Sequence, residues 1–368
     1  MTGDDNDRTD GASREPGGAV GGPRHVPVLL AEVLVSLEPK PGETYIDATF
    51  GAGGYSRAIL EAAECRVLAL DRDPTAVRAA APLCQRFANR LTVVEACFGK
   101  MEEVARVYLS SDARPDQPSV FTAPDGVVLD VGVSSMQLDQ PERGFSFMTE
   151  GPLDMRMTAS GAMAGPTAAD VVNRFDETEI ADILYQLGEE RRSRAIARAI
   201  LKSRAEAPIE TTTKLAALVC SVLGPPRRDE KHPATRTFQA LRIYVNDELG
   251  ELANALSAAE RILKPGGRLV VVSFHSLEDR IVKRFLTERS KPAPKLSRHM
   301  PAQAEPAAAQ TSSFRLVNPR PLTPGEAEVW ANPRARSARL RAAERISAPP
   351  WPLDLAALGG PRVRQDRR

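Results

Sequence analysis

A glycine-rich turn between a predicted strand and a predicted helix is the part of the sequence best suited to hold a ligand. The stretch 45–60, YIDATFGAGGYSRAIL, begins with strand-forming residues, and helical spacing resumes after the turn. Gly51, Gly53 and Gly54 allow the backbone to turn tightly beside a bound group. Asp71 ends the next apolar run, about twenty residues past the first glycine, where an acid can bind a ribose 2′-hydroxyl. Together these residues predict an adenosine site.

The kind of adenosine cofactor depends on the last position of the turn. The dinucleotide fingerprint GxGxxG requires a third glycine, and Ser56 stands at that position. A lone glycine-rich turn is also common in ordinary loops, so the flanking strand and helix and Asp71 support the interpretation. A cofactor without a pyrophosphate fits this turn better, and we expect S-adenosyl-L-methionine.

Further apolar runs predict the sheet that positions this turn. Strands alternate with helices at 74–87 and 101–109, as expected for a parallel sheet covered on both faces. The sequence therefore predicts a Rossmann-like, doubly wound α/β fold, that of class I methyltransferases, with an antiparallel edge. The predicted strands are 45–48, 67–70, 91–95, 126–131, the end of 263–274, and finally 314–317 and 338–342.

A long helical stretch separates the fourth predicted strand from the fifth. Residues 140–230 show helical patterning, most clearly at 177–187 and 191–204, and predict an inserted helical domain for substrate recognition. The methyltransferase domain is then expected in two parts, 24–139 and 231–346. The remaining segments are a disordered tail at 1–23, a mobile Pro- and Ala-rich loop at 290–313, and a basic C-terminal tail at 347–368.

Composition limits the classes of protein that the sequence fits. The 368 residues suffice for one large domain with an insertion, and a net charge of +1 neither requires nor excludes nucleic acid. Because no apolar stretch reaches the roughly 18 residues of a membrane span, and we find no signal-peptide pattern, we expect a soluble, cytoplasmic protein. The four cysteines lack metal-ligand spacing, so we expect no metal site.

Several longer motifs are similar to those of one family. On these motifs, which are spread over most of residues 25–346, the chain resembles the bacterial ribosomal RNA small subunit methyltransferase H family. The resemblance implies S-adenosylmethionine-dependent methylation of the exocyclic N4 of a cytidine in the decoding centre of 16S rRNA, with the small ribosomal subunit as partner. The motifs are ERGFSFM at 142–148, GPLDMRM at 151–157, HPATRTFQALRIYVNDEL at 232–249, SFHSLEDRIVK at 273–283 and NPRARSARLR at 332–341.

The same resemblance implies a set of cofactor contacts, and this chain departs from the usual pattern at two places. Tyr55 stands where a histidine is frequent, and Ala96 and Cys97 replace an asparagine-containing turn. Neither departure removes a required charge, so they concern only fine contacts around the methionine and adenine ends. The implied contacts are Gly53, Gly54, Tyr55, Asp71, Phe98, Asp130 and Gln137.

Asp130 is the first candidate for chemistry at the target amine. Cytosine N4 is a poor nucleophile because its lone pair is delocalised into the ring, so a group must accept its proton. The sequence LDVGVSS at 129–135 makes Asp130 the nearest equivalent of the acid that many amino-methyltransferases place at the end of the fourth strand. Two roles stay open: binding the cofactor or capping the turn, and acting at the base. No cysteine lies in a Pro-Cys loop, which disfavours methylation at carbon 5.

A target base that is flipped out of its stack needs stacking and edge contacts. Core packing is the alternative role for each aromatic candidate. His275 follows a predicted strand at its carboxyl end, where ligands bind in open α/β sheets, and is the second catalytic candidate. The candidates for base contacts are Phe145, Phe147, His232, Arg236, Phe274 and His275.

The run RRSRAIARAILKSR at 191–204 predicts an amphipathic helix within the insertion. Ile196 and Ile200 fall on one face, and Arg194, Arg198 and Lys202 on another. The basic face either contacts the RNA backbone or is only solvated. The arginines at 334, 336, 339 and 341 leave the same two alternatives open.

Two other classes of function fit the same features. The chain could be an RNA-binding assembly factor that keeps the cofactor fold without turnover, or a small-molecule methyltransferase. Labelled cofactor incubated with small subunits or with free nucleosides separates these possibilities.

Overall fold

The computed structural model describes residues 27–111, 120–132, 139–158, 165–228, 230–291 and 311–360. The tail predicted at 1–23, residue Gln137 and most of the loop predicted at 290–313 lie outside this part of the chain.

One mixed sheet organises the described residues. Its strands are β1 Thr44–Asp47, β2 Arg66–Asp71, β3 Leu91–Glu95, β4 Gly126–Asp130, β5 Arg268–Ser273, β6 Phe314–Leu316 and β7 Arg339–Arg345. The order across the sheet is β3-β2-β1-β4-β5-β7-β6. Strands β1 to β5 pair in parallel, whereas β7 is antiparallel to both β5 and β6. The predicted doubly wound sheet with an antiparallel edge is confirmed, and its order reverses between β1 and β4, where a ligand crevice is expected.

The helices predicted after the glycine turn and at 101–109, 177–187 and 191–204 are present within two residues of those positions. None of the helices in the described ranges is both long and apolar enough to cross a membrane. They are α1 Leu30–Leu37, α2 Gly54–Ala62, α3 Pro74–Ala79, α4 Ala81–Arg86, α5 Met101–Tyr108, α6 Ala168–Arg174, α7 Glu177–Gly188, α8 Ser193–Glu206, α9 Thr212–Leu223, α10 Thr235–Asn246, α11 Glu248–Ile262, α12 Ser276–Arg289 and α13 Glu326–Ala331, with 3₁₀ turns at Phe98–Lys100, Pro141–Arg143 and Pro333–Ser337.

Hydrophobic side chains on both faces of the sheet are buried. Tyr45 and Val128 face one core, which also contains residues of α1 and α2. Ile46 and Leu129 face the other, which contains residues of α5, α11 and α12. This alternation follows from the two-residue period of a strand, and it explains why the parallel strands are apolar throughout.

The single helix predicted at 74–87 is wrong, because the structure has two short helices, α3 and α4, that meet at Ala80. Pro82 lies in the first turn of α4. Its nitrogen has no hydrogen to donate to the carbonyl one turn earlier, so a continuous helix would lose a hydrogen bond there. The second helix therefore begins anew, with proline at a position that tolerates it.

The predicted helices of the insertion are present as α7 and α8. Asp176 and Glu179 form a capping box at the start of α7, and Ile196 and Ile200 of α8 are fully buried. The hydrophobic core beneath the insertion is continuous with the core under β4. Helix α7 also packs against α10, which follows the insertion. The boundaries at 140 and 230 stay a prediction.

The first part of the predicted C-terminal tail packs against the body of the protein. Trp351 donates its backbone N–H to Glu260 Oε1 at 3.1 Å, and Leu358 is buried. Glu260 also accepts from Ser313 Oγ at 2.5 Å and pairs with Arg289 at 2.7 Å. The buried Glu260 therefore joins α11, α12 and residues 347–360 into one network.

Candidate functional site

The glycine turn after β1 places backbone, without side chains, at the carboxyl edge of the sheet. Gly51 and Gly53 adopt left-handed φ angles of 53° and 75°. A Cβ on Gly53 would lie 2.7 Å from the Phe50 ring and 2.8 Å from Leu83, both too close for any other residue. Packing against Phe50 and Leu83 therefore favours glycine at position 53, and contact of the turn with a ligand stays a prediction.

Asp71 lies beside this turn and holds it in place. Its Oδ2 accepts the N–H of Gly51 at 2.7 Å, and its Oδ1 accepts the N–H of Asp73 at 2.8 Å. Each carboxylate oxygen can accept a further hydrogen bond, so Asp71 can also accept from ribose hydroxyls. Burial raises the pKa of Asp71 above its usual value, although both N–H groups lower it.

Asp47 is a second acid at this edge, and the sequence analysis gave it no role. It is fully buried and accepts hydrogen bonds from Ser56 N and Oγ and from Thr49 N, at 3.1, 2.6 and 3.2 Å. Burial raises the pKa of Asp47 to about 6, although the hydrogen bonds from Ser56 and Thr49 lower it. The sequence could have identified Asp47 as a site residue, because it stands at the end of a predicted strand, directly before the glycine turn.

Asp130 ends β4, next to β1, and has an unsatisfied oxygen. Its backbone N–H donates to Thr49 Oγ1 at 2.6 Å. Its Oδ1 is buried and has no hydrogen-bond partner in the described part of the chain. Burial, and then the charges of Asp47 and Glu278, hold the pKa of Asp130 well above its usual value. Buried polar atoms are normally paired, so this oxygen is the candidate acceptor for a ligand group at this edge of the sheet.

His275 begins α12 just past β5, and both of its ring nitrogens face Glu278. Nδ1 accepts the N–H of Glu278 at 3.4 Å, and Nε2 lies 2.9 Å from Glu278 Oε1. Burial alone would raise the pKa of Glu278, but His275 and then Arg242 hold it below its usual value. The catalytic role of His275 stays a prediction. The three-residue spacing of a capping box was the signal for Glu278.

One group of potential metal ligands occurs among the described residues. Glu248, His275 and Glu278 bring ligand atoms within 4.8 Å of one another. Arg242 donates to both oxygens of Glu248, at 2.8 and 2.9 Å. An arginine thus supplies positive charge at this cluster, and the expectation of no metal site stays a prediction.

Motifs that are distant in the sequence meet above the end of β2. Arg143 donates to Asp73 Oδ2 at 2.8 Å and to the carbonyl of Met157 at 2.9 Å. Asn246 accepts the N–H of Met157 at 2.8 Å, and its own carbonyl accepts from Arg72 at 3.0 Å. These hydrogen bonds fix the start of the predicted insertion to the cofactor side of the sheet.

Two of the predicted cofactor contacts are partly explained by packing. Tyr55 is buried, and its hydroxyl donates to the carbonyl of Val28, so a cofactor contact would come from its backbone. Phe98 begins the 3₁₀ turn after β3 and is partly buried. Gln137 lies outside the described residues, and all three contacts stay predictions.

The predicted base contacts fall into two groups. Phe147 and His232 stack on each other with ring centroids 4.6 Å apart, which supports the packing alternative for this pair. Arg236 is exposed and donates to the carbonyl of Glu189 at 3.3 Å. Glu189 also accepts from Ser276 Oγ at 2.9 Å, so Arg236 lies near the start of α12.

The basic face of α8 is solvent-exposed, as the sequence predicts. Arg194, Arg198 and Lys202 are all exposed. Arg198 donates to the carbonyl of Arg194 at 3.4 Å and lies 3.8 Å from Glu177. Their contact with RNA stays a prediction.

The sheet order, the glycine turn and the acids that end β1, β2 and β4 define a class of enzyme. This class is the S-adenosylmethionine-dependent methyltransferases with a doubly wound sheet. The chain belongs to the MraW methylase family, whose model matches residues 23–346. The predicted family, enzyme class and cofactor are thereby confirmed.

The curated relatives match the chain over nearly its whole length. It is 58% identical to a protein of Azorhizobium caulinodans over 346 residues, which cover 93% of this chain and 94% of the relative. It is 56% identical to a protein of Parvibaculum lavamentivorans over 335 residues, covering 91% and 93% of the two chains. Both relatives are named ribosomal RNA small subunit methyltransferase H.

Proposed function

We propose that the chain transfers the methyl group of S-adenosyl-L-methionine to the exocyclic N4 of a cytidine in the decoding centre of 16S rRNA. The names of the relatives support small-subunit rRNA as the substrate. The motif resemblance supports the cytidine N4. The observation that carries the chemistry is the buried Oδ1 of Asp130 at the carboxyl edge of the sheet, which has no hydrogen-bond partner among the residues that the structure describes.

The charge of the site fits this cofactor. Asp47, Asp71 and Asp130 end three neighbouring strands, and burial raises the pKa of all three. Buried carboxylates are unfavourable unless a positive charge faces them. S-adenosylmethionine supplies a transferable methyl group on a positively charged sulfur and also carries an ammonium group. A cationic ligand therefore relieves the cost of ionising these acids.

The residues around the glycine turn contribute to cofactor binding in different ways. Gly51 and Gly53 let the backbone approach the ligand, and Asp71 accepts hydrogen bonds from the ribose hydroxyls. Asp73 and Arg143 hold the adjoining loop by an ion pair of 2.8 Å that is largely buried. This ion pair fixes the loop beside the end of β2.

Asp130 acts on the target amine. Its Oδ1 accepts an N–H of the exocyclic amino group, which orients the nitrogen lone pair away from Asp130 and toward the methyl group. As the bond from the nitrogen to the methyl carbon forms and the bond from that carbon to sulfur breaks, the nitrogen would become cationic and the sulfur a neutral thioether. The carboxylate would stabilise this nitrogen and take its proton at Oδ1. Asp130 must be ionised for this step, so bound positive charge, which lowers its pKa, prepares it.

Residues outside the cofactor site bind the RNA and position it for methyl transfer. The helical domain proposed at 140–230 carries Arg194, Arg198 and Lys202 for phosphate contacts. His232 and Arg236 contact the substrate RNA, and Arg236 lies near the start of α12. Because the proposed partner is the small ribosomal subunit, the proposed compartment is the cytoplasm.

Transfer of labelled methyl from S-adenosylmethionine tests the proposal. The protein is incubated in parallel with isolated small subunits, with free nucleosides and with large subunits as a control. Label in small-subunit rRNA alone is expected. Label in free nucleosides would indicate a small-molecule enzyme, and no label in any substrate would indicate a binding protein without turnover.

A further inference from the structure

Trp330 is the most exposed large hydrophobic residue in the described ranges, with 89% of its surface in contact with solvent. It lies on α13, between β6 and β7, and it lines a recess together with Pro324, Val329 and Arg336. An indole carries a large apolar surface that a bound partner would remove from water. The exposure of Trp330 therefore points to a surface that binds a partner outside the cofactor site.

The segment that carries Trp330 is fixed to the carboxyl edge of the sheet. Glu328 Oε1 accepts the backbone N–H of Leu29 at 2.7 Å, directly before α1. The neighbouring Val28 accepts the Tyr55 hydroxyl from the helix that follows the glycine turn. Arg334 lies 3.0 Å from Asp139, which follows β4 in the chain. The indole is thus presented beside the proposed active site.

The charge around the indole favours one kind of partner. The segment 318–339 contains four arginines and two glutamates. Arg334 and Arg339 pair with Asp139 and Asp279, whereas Glu328 accepts from Leu29 and Glu326 lines the recess beside Trp330. Arg320, Arg334 and Arg336 are exposed. The centre of a protein–protein contact is usually depleted of charge, whereas RNA-binding surfaces combine stacking aromatics with arginines that contact phosphates. A single-stranded RNA segment matches this surface.

We infer that Trp330 stacks on an unpaired base of the rRNA near the target cytidine, while Arg320 and Arg336 contact the phosphates of that strand. The inference rests on the proposed function, because it assigns the surface to the same substrate. A nucleotide that is methylated at an exocyclic group must leave its stack to reach the catalytic residues. A second base held on Trp330 keeps the neighbouring strand out of the duplex.

Tryptophan fluorescence tests the stacking directly. The sequence contains two tryptophans, so Trp351→Phe leaves Trp330 as the single indole. A single-stranded RNA oligonucleotide with the sequence around the methylated cytidine is titrated into this variant. Stacking should quench the Trp330 emission, with the same midpoint as RNA binding followed by filter retention. Binding without quenching would overturn the inference.

Kinetics on small subunits provide the second test. Trp330→Ala should raise KM for the subunit by roughly tenfold or more, the size typical of losing one stacked base, and should leave kcat and cofactor affinity unchanged. Trp330→Phe should restore most of the affinity. Tyr108→Ala is the matched control, because Tyr108 is another exposed aromatic, at the end of α5 and far from the carboxyl edge.

The outcomes distinguish this inference from the proposed function. If the parent protein transfers no methyl group to the subunit, the proposed function fails. If the parent transfers normally and Trp330→Ala has the parental KM, only the role of Trp330 fails. A change in oligomeric state on sedimentation of Trp330→Ala, with RNA affinity unchanged, would assign the surface to a second copy of the chain and overturn the inference.

Discussion

Replacing Asp130 by asparagine tests the side chain on which the proposed transfer depends. The amide keeps the size of the carboxylate and one acceptor oxygen but removes the negative charge. The hydrogen bond from the Asp130 backbone to Thr49 Oγ1, at 2.6 Å, does not involve the substituted group. We therefore expect a folded variant whose defect is confined to the cofactor and the target amine.

The size of the defect follows from the charge that develops on the target nitrogen. A carboxylate stabilises a cationic amine more than an amide does, and this advantage exists mainly in the transition state. Loss of a positioned base or electrostatic contact typically lowers turnover by about 10²- to 10⁴-fold. We expect a fall of about 100-fold, because the amide oxygen still accepts one hydrogen bond.

Single-turnover transfer to small subunits at saturating cofactor measures this fall, and calorimetry measures cofactor affinity in parallel. Since the proton acceptor must be ionised and its pKa is raised, the parental rate should increase with pH, and the variant should lose that increase. Asp125→Asn is the control, because it removes the same charge at the opposite end of β4, where Asp125 pairs with Lys264. An Asp130→Asn variant with the parental rate at saturation would refute the role of Asp130 as proton acceptor.

Three further predictions concern cofactor binding, RNA binding and stability. Asp71→Asn should weaken cofactor binding roughly ten- to 100-fold in calorimetry, since a charged acceptor contributes about 1.5–3 kcal/mol. Glutamine at Arg194, Arg198 and Lys202 should make the salt dependence of subunit binding shallower. The steepness of log affinity against log salt should decrease by about one for each lost phosphate contact. Because the pKa of Asp47 is raised to about 6, its contribution to folding is fully present below its unfolded-state value and is lost as pH rises through about 6. The stability advantage of the parent over Asp47→Asn in urea unfolding should therefore fall by about 2 kcal/mol between about pH 4 and about pH 7.

Matched variants make these three measurements interpretable. Glu64→Gln, on an exposed residue before β2, should leave cofactor affinity unchanged, and an unchanged affinity in Asp71→Asn would remove Asp71 from the site. Glutamine at three exposed cations away from the insertion should leave the salt dependence unchanged. If the α8 variant has the parental salt dependence, the basic face of α8 is only solvated and does not contact RNA. A constant stability difference across the pH range would contradict the raised pKa of Asp47. The three control cations are Lys40, Arg86 and Arg106.

The sheet could be predicted from the sequence because its strands are apolar runs bounded by clear turns. The predicted segments 91–95 and 126–131 differ from β3 and β4 by at most one residue. The antiparallel edge was predicted too, because two short runs follow the last parallel strand. The break at Ala80 was missed although Pro82 is the signal for it, because Pro82 lies in the interior of the predicted helix 74–87 and cannot donate to the carbonyl one turn earlier.

The site could be predicted only in part, because its side chains come from distant segments. The glycine turn and Asp71 are close in sequence, and a known spacing connects them. The hydrogen bond between Met157 and Asn246 joins residues 89 positions apart, which no local pattern encodes. The pairing of His275 with Glu278 could be predicted from their three-residue spacing, but the approach of both ring nitrogens to Glu278 required the geometry.

Mass spectrometry of nucleosides from small-subunit rRNA tests the central proposal most directly. Small subunits are incubated with the protein and with S-adenosylmethionine that carries a deuterated methyl group, and the rRNA is then digested to nucleosides and mapped by fragment. We predict label in N4-methylcytidine at a single position of the decoding centre, absent when the protein is omitted and strongly reduced with Asp130→Asn. Label on carbon 5 of cytosine, on a ribose hydroxyl or on another nucleotide would contradict the proposed reaction.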